Sequence, residues 1–225
     1  MPLPHPIRDS PPLLCYVTDR RQLDVAADRQ KTALLEKISK AAEVGVDWIQ
    51  IREKDLSAAE FGELVERAMR FVPSSCRILV NDRLDVACAV GAAGVHLGEK
   101  SISVEDARRF VGARGLQENF LIGVSVHSQE AAKAAQMAGA DYVFFGPVFA
   151  TPSKISFGPP QGLERLSAVC GGVSIPVLAI GGITQENAGE CFAHGASGVA
   201  AIRLFQEAPD IADVVKQVRA GKRKG

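Results

Sequence analysis

Residues 134–147 read AAQMAGADYVFFGP, and the same plan returns as AAEVGVDWIQIRE at 41–53, ACAVGAAGVHLGE at 87–99 and CFAHGASGVAAIR at 191–203. Each stretch is a helix-like run closed by a glycine (Gly139, Gly45, Gly91, Gly195) and followed within a few residues by a short apolar segment. The spacing between copies leaves room for a second strand–helix unit inside each interval. The strands of those units are visible at Ile78 to Asn81, Leu121 to Ser125 and Val177 to Gly181, with Leu14 to Thr18 opening the series.

That makes eight strands, apolar along their whole length, which suits a parallel sheet covered on its outer face by helices. In the first long helix Leu34, Leu35, Ile38, Ala41 and Ala42 form one stripe, and capping boxes at Ser57 to Glu60 and Ser103 to Asp106 mark helix starts. An open doubly wound sheet would need a glycine-rich turn after the first strand, and Tyr16-Val-Thr-Asp-Arg offers none. The expected fold is therefore α/β, a single (β/α)8 TIM barrel over residues 13–215, with a flexible segment at 1–12 and a basic tail at 216–225.

A chain of 225 residues that is 47% hydrophobic can bury one large core. The 26 Lys and Arg balance the 26 Asp and Glu, so no overall field favours nucleic acid or an anionic membrane, and no helix-turn-helix is apparent. Five cysteines without a C-x-x-C pair point to a reduced, cytoplasmic protein. The N-terminal residues lack an apolar leader, and no apolar run approaches the roughly 18 residues a membrane span needs.

In such a barrel the residues just past each strand's C-terminal end converge on the active site. After the second strand, Gln50, Arg52 and Lys54 share one face by strand alternation, and cations gathered on one face call for an anion such as phosphate or pyrophosphate. The third strand ends in Asn81-Asp82, where Asp82 either ligates Mg²⁺ or caps the next helix. The fourth gives Val95-His96-Leu97-Gly98-Glu99. The fifth gives Ser125 and His127, the histidine serving as an acid/base group or as a capping residue. The sixth runs into Gly146-Pro-Val-Phe and a loop with Thr151, Ser153 and Lys154, either an anion clamp or an ordinary surface loop. The seventh ends in Gly181-Gly182-Ile-Thr184, read as opening a helix whose N–H groups face an anion, the usual barrel phosphate position. Arg203 after the eighth strand reaches the same anion.

Taken in order, Tyr16, Gln50-x-Arg52-x-Lys54, Asn81-Asp82, Gly94-Val-His96-Leu-Gly98, Ser125-x-His127, Gly146-Pro-Val-Phe with Thr151-x-Ser153-Lys154, and Gly181-Gly182 resemble the thiamine phosphate synthase family over about residues 13–215. The resemblance implies condensation of an aminopyrimidine pyrophosphate with a thiazole phosphate. Arg52, Lys54, Asn81 and Lys154 would hold pyrophosphate, and Asp82 would ligate Mg²⁺. Gln50 and Ser125 would contact the pyrimidine, and Tyr16 would join the substrate site. Thr151, Ser153, Gly181 and Gly182 would take the thiazole side. Two positions depart from the family pattern: Ser101 stands where it has a second metal-binding aspartate, and Arg203 where it commonly has a serine. Both departures suit the related TenI-type thiazole tautomerases, which act without metal and would use His127 to move a proton. A non-catalytic sensor of thiamine precursors is the third reading. The partners implied are the small phosphorylated pyrimidine and thiazole, with a homodimer as the default assembly.

Overall fold

The computed structural model describes residues 11–116, 118–151 and 159–221. Its strands are β1 (Leu13–Val17), β2 (Trp48–Ile51), β3 (Arg77–Asn81), β4 (Gly94–Leu97), β5 (Leu121–Val126), β6 (Tyr142–Phe145), β7 (Val177–Ile180) and β8 (Gly198–Ala201). They pair in parallel in sequence order, and β8 returns to β1 through Leu13 opposite Gly198, which closes the barrel. The connecting helices are α1 (Gln30–Glu43), α2 (Ala58–Phe71), α3 (Leu84–Val90), α4 (Val104–Gly112), α5 (Gln129–Met137), α6 (Gly162–Gly172) and α7 (Ala188–Ala193), with α8 (Arg203–Gln206) and α9 (Ile211–Gly221) after the last strand. The expected (β/α)8 barrel is the observed one.

Alternation along each strand divides the core in two. Cys15, Val17, Trp48, Leu79, Tyr142, Phe144 and Leu178 fill the barrel interior. Their neighbours Leu14, Ile49, Val80 and Val143 face outward against the helices. The α1 stripe of Leu34, Leu35, Ile38, Ala41 and Ala42 is the face that packs there, each leucine or isoleucine contributing about 1.5–3 kcal/mol by burial.

The recurrent glycine has a backbone reason. Gly91 closes α3 at φ 70°, donating its N–H to Ala87, and only a residue without Cβ takes that left-handed turn at no cost. The aspartate after the glycine in two copies ties the N-terminal face: Asp47 accepts from Leu14 N at 2.8 Å, and Asp141 accepts from Ile122 N at 2.6 Å. At the helix starts, Ser57 and Glu60 form the full reciprocal box. Ser103 accepts from Asp106 N at 3.0 Å, while the shorter Asp106 side chain takes the Ser103 hydroxyl instead of returning to the backbone.

One boundary moves. The tail expected from residue 216 is helical to Gly221, because Val218 is buried and Arg219 pairs with Asp47 at 3.1 Å. Residues 1–10 and 222–225 lie outside the described residues.

Candidate active site

The C-terminal strand ends bring most of the expected residues to one mouth, with changes of detail that follow from where each strand stops. On β2, Trp48 and Gln50 point inward. Gln50 is 2% exposed, donates from Nε2 to Asn81 Oδ1 at 2.9 Å, and leaves Oε1 buried with no hydrogen-bond partner. An unpaired buried acceptor costs about 1–3 kcal/mol, so it marks a place where a ligand N–H belongs.

The strand ends at Ile51, with Arg52 half-buried just past it and Lys54 exposed in the following turn. What holds them is the residue between. Glu53, 4% exposed, accepts from Thr18 Oγ1 at 2.6 Å, from Arg20 N at 3.1 Å and from the Arg20 guanidinium at 2.9 Å. Arg20 grips Asp55 through two further bonds at 2.7 and 2.6 Å. Arg20, Glu53 and Asp55 thus satisfy one another, while among the described residues Arg52 and Lys54 have no side-chain hydrogen-bond or ion-pair partner. Two uncommitted cations on a strapped turn are suited to an anion. Sequence reasoning passed over Glu53, because strand parity assigns it to the outer face and only the long-range contact with β1 reveals the strap.

On β3, Asn81 donates to Asp82 at 2.8 Å. Asp82 adopts φ 59°, which short polar side chains tolerate, and it does not cap α3, whose N-cap is Arg83. Its exposed carboxylate reaches instead to the β4 loop, accepting from Gly98 N at 3.1 Å and from the Ser101 hydroxyl. No cluster of three or more His, Cys, Asp or Glu able to hold a metal occurs among the described residues. One carboxylate at the mouth, with a lone pair left over, still fits Mg²⁺ in the manner usual for that ion, bound by one or two protein carboxylates and otherwise by phosphate oxygens and water.

Burial isolates His96 on β4. It stacks on Phe144 at 4.0 Å and bonds Tyr142 OH at 3.1 Å and Ser125 Oγ at 2.9 Å, and desolvation lowers its pKa to about 3, so it is neutral. Nothing local in the sequence gives His96 a role, because both of its partners come from other strands. On β5, Ser125 stands half-buried at the mouth. His127 is half-buried with two acceptors beside its ring, the Gly146 carbonyl at Nδ1 and, as an ion pair formed only when the ring is protonated, the exposed Glu99 carboxylate 3.2 Å from Nε2.

Arg203 donates to Thr151 Oγ1 at 2.9 Å, joining the loop after β6 to the end of β8. Ser153 and Lys154 lie outside the described residues. Gly181 and Gly182 have φ 95° and 67°, and a Cβ on Gly182 would stand 2.6 Å from the Ala150 carbonyl. They do not open a helix, contrary to expectation. Thr184 and Asn187 exchange bonds at 2.8 and 3.3 Å in an intervening turn, and α7 begins only at Ala188, so no helix dipole acts at the glycine pair.

Tyr16 is the expected substrate contact that the fold removes from the mouth. Cys15 and Val17 face the interior, so Tyr16 faces outward, wholly buried against Phe205, with its hydroxyl donating to Gln206 Oε1 at 3.0 Å.

Comparison with known proteins adds an independent line. Residues 14–205 match the family model described as thiamine monophosphate synthase. The chain is 37% identical over 207 residues to the thiamine-phosphate synthase of Syntrophomonas wolfei, covering 92% of this chain and 94% of that one. It is 40% identical over 210 residues to the thiamine-phosphate synthase of a Roseiflexus species, covering 93% and 84%. Among solved structures, the thiamine phosphate pyrophosphorylase of Pyrococcus furiosus superposes with a TM-score of 0.79 at 33% identity, over 94% of this chain and 96% of that chain.

Proposed function

The chain belongs to the thiamine monophosphate synthase family, and from that premise we propose that its barrel mouth joins an aminopyrimidine pyrophosphate to a thiazole phosphate, giving thiamine phosphate and pyrophosphate. The observation that carries the reading is the pairing of the orphaned Gln50 Oε1 with the uncommitted Arg52 and Lys54 that follow it. An exocyclic amino group supplies the N–H that Gln50 lacks, and a pyrophosphate on the same molecule supplies the charge that the cations lack.

In this reaction the bond between the pyrimidine methylene and pyrophosphate oxygen breaks with its electron pair leaving on oxygen, and the thiazole nitrogen lone pair forms the new C–N bond. Arg52, Lys54 and Asn81, with Lys154, stabilise the charge that grows on the leaving group, which is the part of the barrier that fixed charges lower most. Gln50 and Ser125 orient the pyrimidine. Thr151, Ser153, Gly181, Gly182 and Arg203 hold the thiazole phosphate, so both reactants are fixed before bond formation. Asp82 would hold Mg²⁺, which neutralises phosphate oxygens when bound.

No observation at His127 favours a second reading: its ring lies between the Gly146 carbonyl and the exposed Glu99 carboxylate. Among the described residues no helix is long and apolar enough to cross a membrane, and the five free cysteines suit a reducing cytoplasm. The test is thiamine phosphate formation from the two substrates with Mg²⁺ and again with EDTA. Magnesium-dependent product is the expected result, and absence of product under both conditions overturns the proposal.

A further inference from the structure

Tyr142 lies wholly buried inside the barrel, its ring resting on Gly123, where a Cβ would collide with it, and 4.8 Å from the Trp48 ring. Its hydroxyl has one partner among the described residues, His96 Nδ1 at 3.1 Å. The other nitrogen of His96 meets Ser125 Oγ at 2.9 Å, the only side-chain partner of that hydroxyl among the described residues. The three groups form one chain of bonds running from the barrel interior to its mouth.

Counting donors sets the direction of the chain. A neutral imidazole carries one N–H and one lone pair, so the two bonds of His96 must run the same way along the chain. If Nδ1 held the proton, it would donate to the phenol oxygen, and the wholly buried Tyr142 O–H would be left without an acceptor among the described residues, at a cost of about 1–3 kcal/mol. If Nε2 holds the proton, the phenol donates to Nδ1 and Nε2–H donates to Ser125. No buried donor is then left over. Ser125, half-buried at the mouth, has its own hydrogen still uncommitted.

We propose that Tyr142 and His96 are positioning residues that fix the Ser125 hydroxyl as a hydrogen-bond donor into the mouth, where it meets a ring nitrogen of the pyrimidine substrate. The inference deepens the reading above and rests on it for the identity of the acceptor. Neither Tyr142 nor His96 touches substrate. They act by occupying one lone pair of Ser125 and turning its O–H toward the mouth, so the site favours a ligand that presents an acceptor at that point. An amide-bearing residue at 96 could make similar contacts but could reverse them by flipping, whereas the imidazole is held by the phenol.

Two measurements test this. In the protein labelled with ¹⁵N-histidine, with the His96 signals assigned by their loss in His96→Gln, the inference expects the proton on Nε2, and a proton on Nδ1 overturns it without reference to any activity. In a double-mutant cycle, Tyr142→Phe is expected to raise KM for the pyrimidine pyrophosphate about 5- to 10-fold while leaving KM for the thiazole phosphate unchanged, and to add nothing in a Ser125→Ala background. A purely structural tyrosine would weaken both substrates and act equally in either background, which also overturns the inference. Should Ser125→Ala alone leave the pyrimidine KM unchanged, the substrate reading of Ser125 falls and the donor role falls with it. The tautomer would still report whether the relay itself is right.

Discussion

Thr18 donates its hydroxyl to the Glu53 carboxylate at 2.6 Å, and the same oxygen accepts the backbone N–H of Arg52 at 3.0 Å. One side chain on the loop after β1 thereby fixes both the start of the Arg52 to Lys54 turn and the buried carboxylate in its middle. Because Arg20 N and its guanidinium bind that carboxylate as well, the turn is held by the loop after β1 and not by its own strand.

Replacing Glu53 by alanine is expected to destabilise the protein by about 3 kcal/mol, since it strips a buried guanidinium of one of its two carboxylates and leaves Thr18 without its acceptor. Glu53→Gln, which keeps the Thr18 bond, should cost less. Urea unfolding of both variants checks the order. Competition by inorganic pyrophosphate should weaken along the same series, because the cations on either side lose their fixed backbone.

Asp55 supplies a pH dependence with a definite sign. The hydrogen bonds from Arg20 lower its pKa from 3.8 to about 2. A carboxylate depressed in the folded state contributes stability that is present above its unfolded pKa and lost as pH falls through the folded value. The stability difference between wild type and Asp55→Asn should therefore be full above pH 4 and shrink as pH approaches 2. Denaturant unfolding across that window reads it directly, and a difference independent of pH would contradict the pairing.

Arg52→Ala and Lys54→Ala should each raise KM for the pyrophosphate-bearing substrate about 10- to 150-fold, the worth of roughly 1.5–3 kcal/mol for a charge-assisted hydrogen bond. Neither should alter the unfolding midpoint much, as neither side chain is paired among the described residues. Steady-state kinetics with thermal unfolding separates the two effects.

Arg203→Ala should weaken the thiazole phosphate by about 10-fold and leave pyrophosphate competition intact, because Arg203 bonds Thr151 on the opposite side of the mouth from Arg52. Inhibition by inorganic phosphate against each substrate in turn tests the assignment. Equal weakening on both sides would place Arg203 outside the thiazole site.

The barrel itself was legible in the sequence, since its determinants are local and repeated. A glycine at Gly45, Gly91, Gly139 and Gly195 ends a helix by backbone conformation alone, the apolar run after each can only be a buried strand, and eight such units in a row favour closure. Gln50, Asn81, Asp82, Ser125 and Arg203 could likewise be placed at the mouth from strand counting. What the chain alone left undecided depends on partners far away in sequence. Tyr16 turned outward because Cys15 and Val17 take the barrel interior, and alternation leaves the residue between them on the helix side. Glu53 became the keystone of the Arg52 to Lys54 turn through Thr18 and Arg20, and His96 acquired a direction only when β6 carried Tyr142 beneath it. Period and turn chemistry act over a few residues and so determined the fold, whereas the donors and acceptors of a buried site meet across strands and were decided by barrel closure.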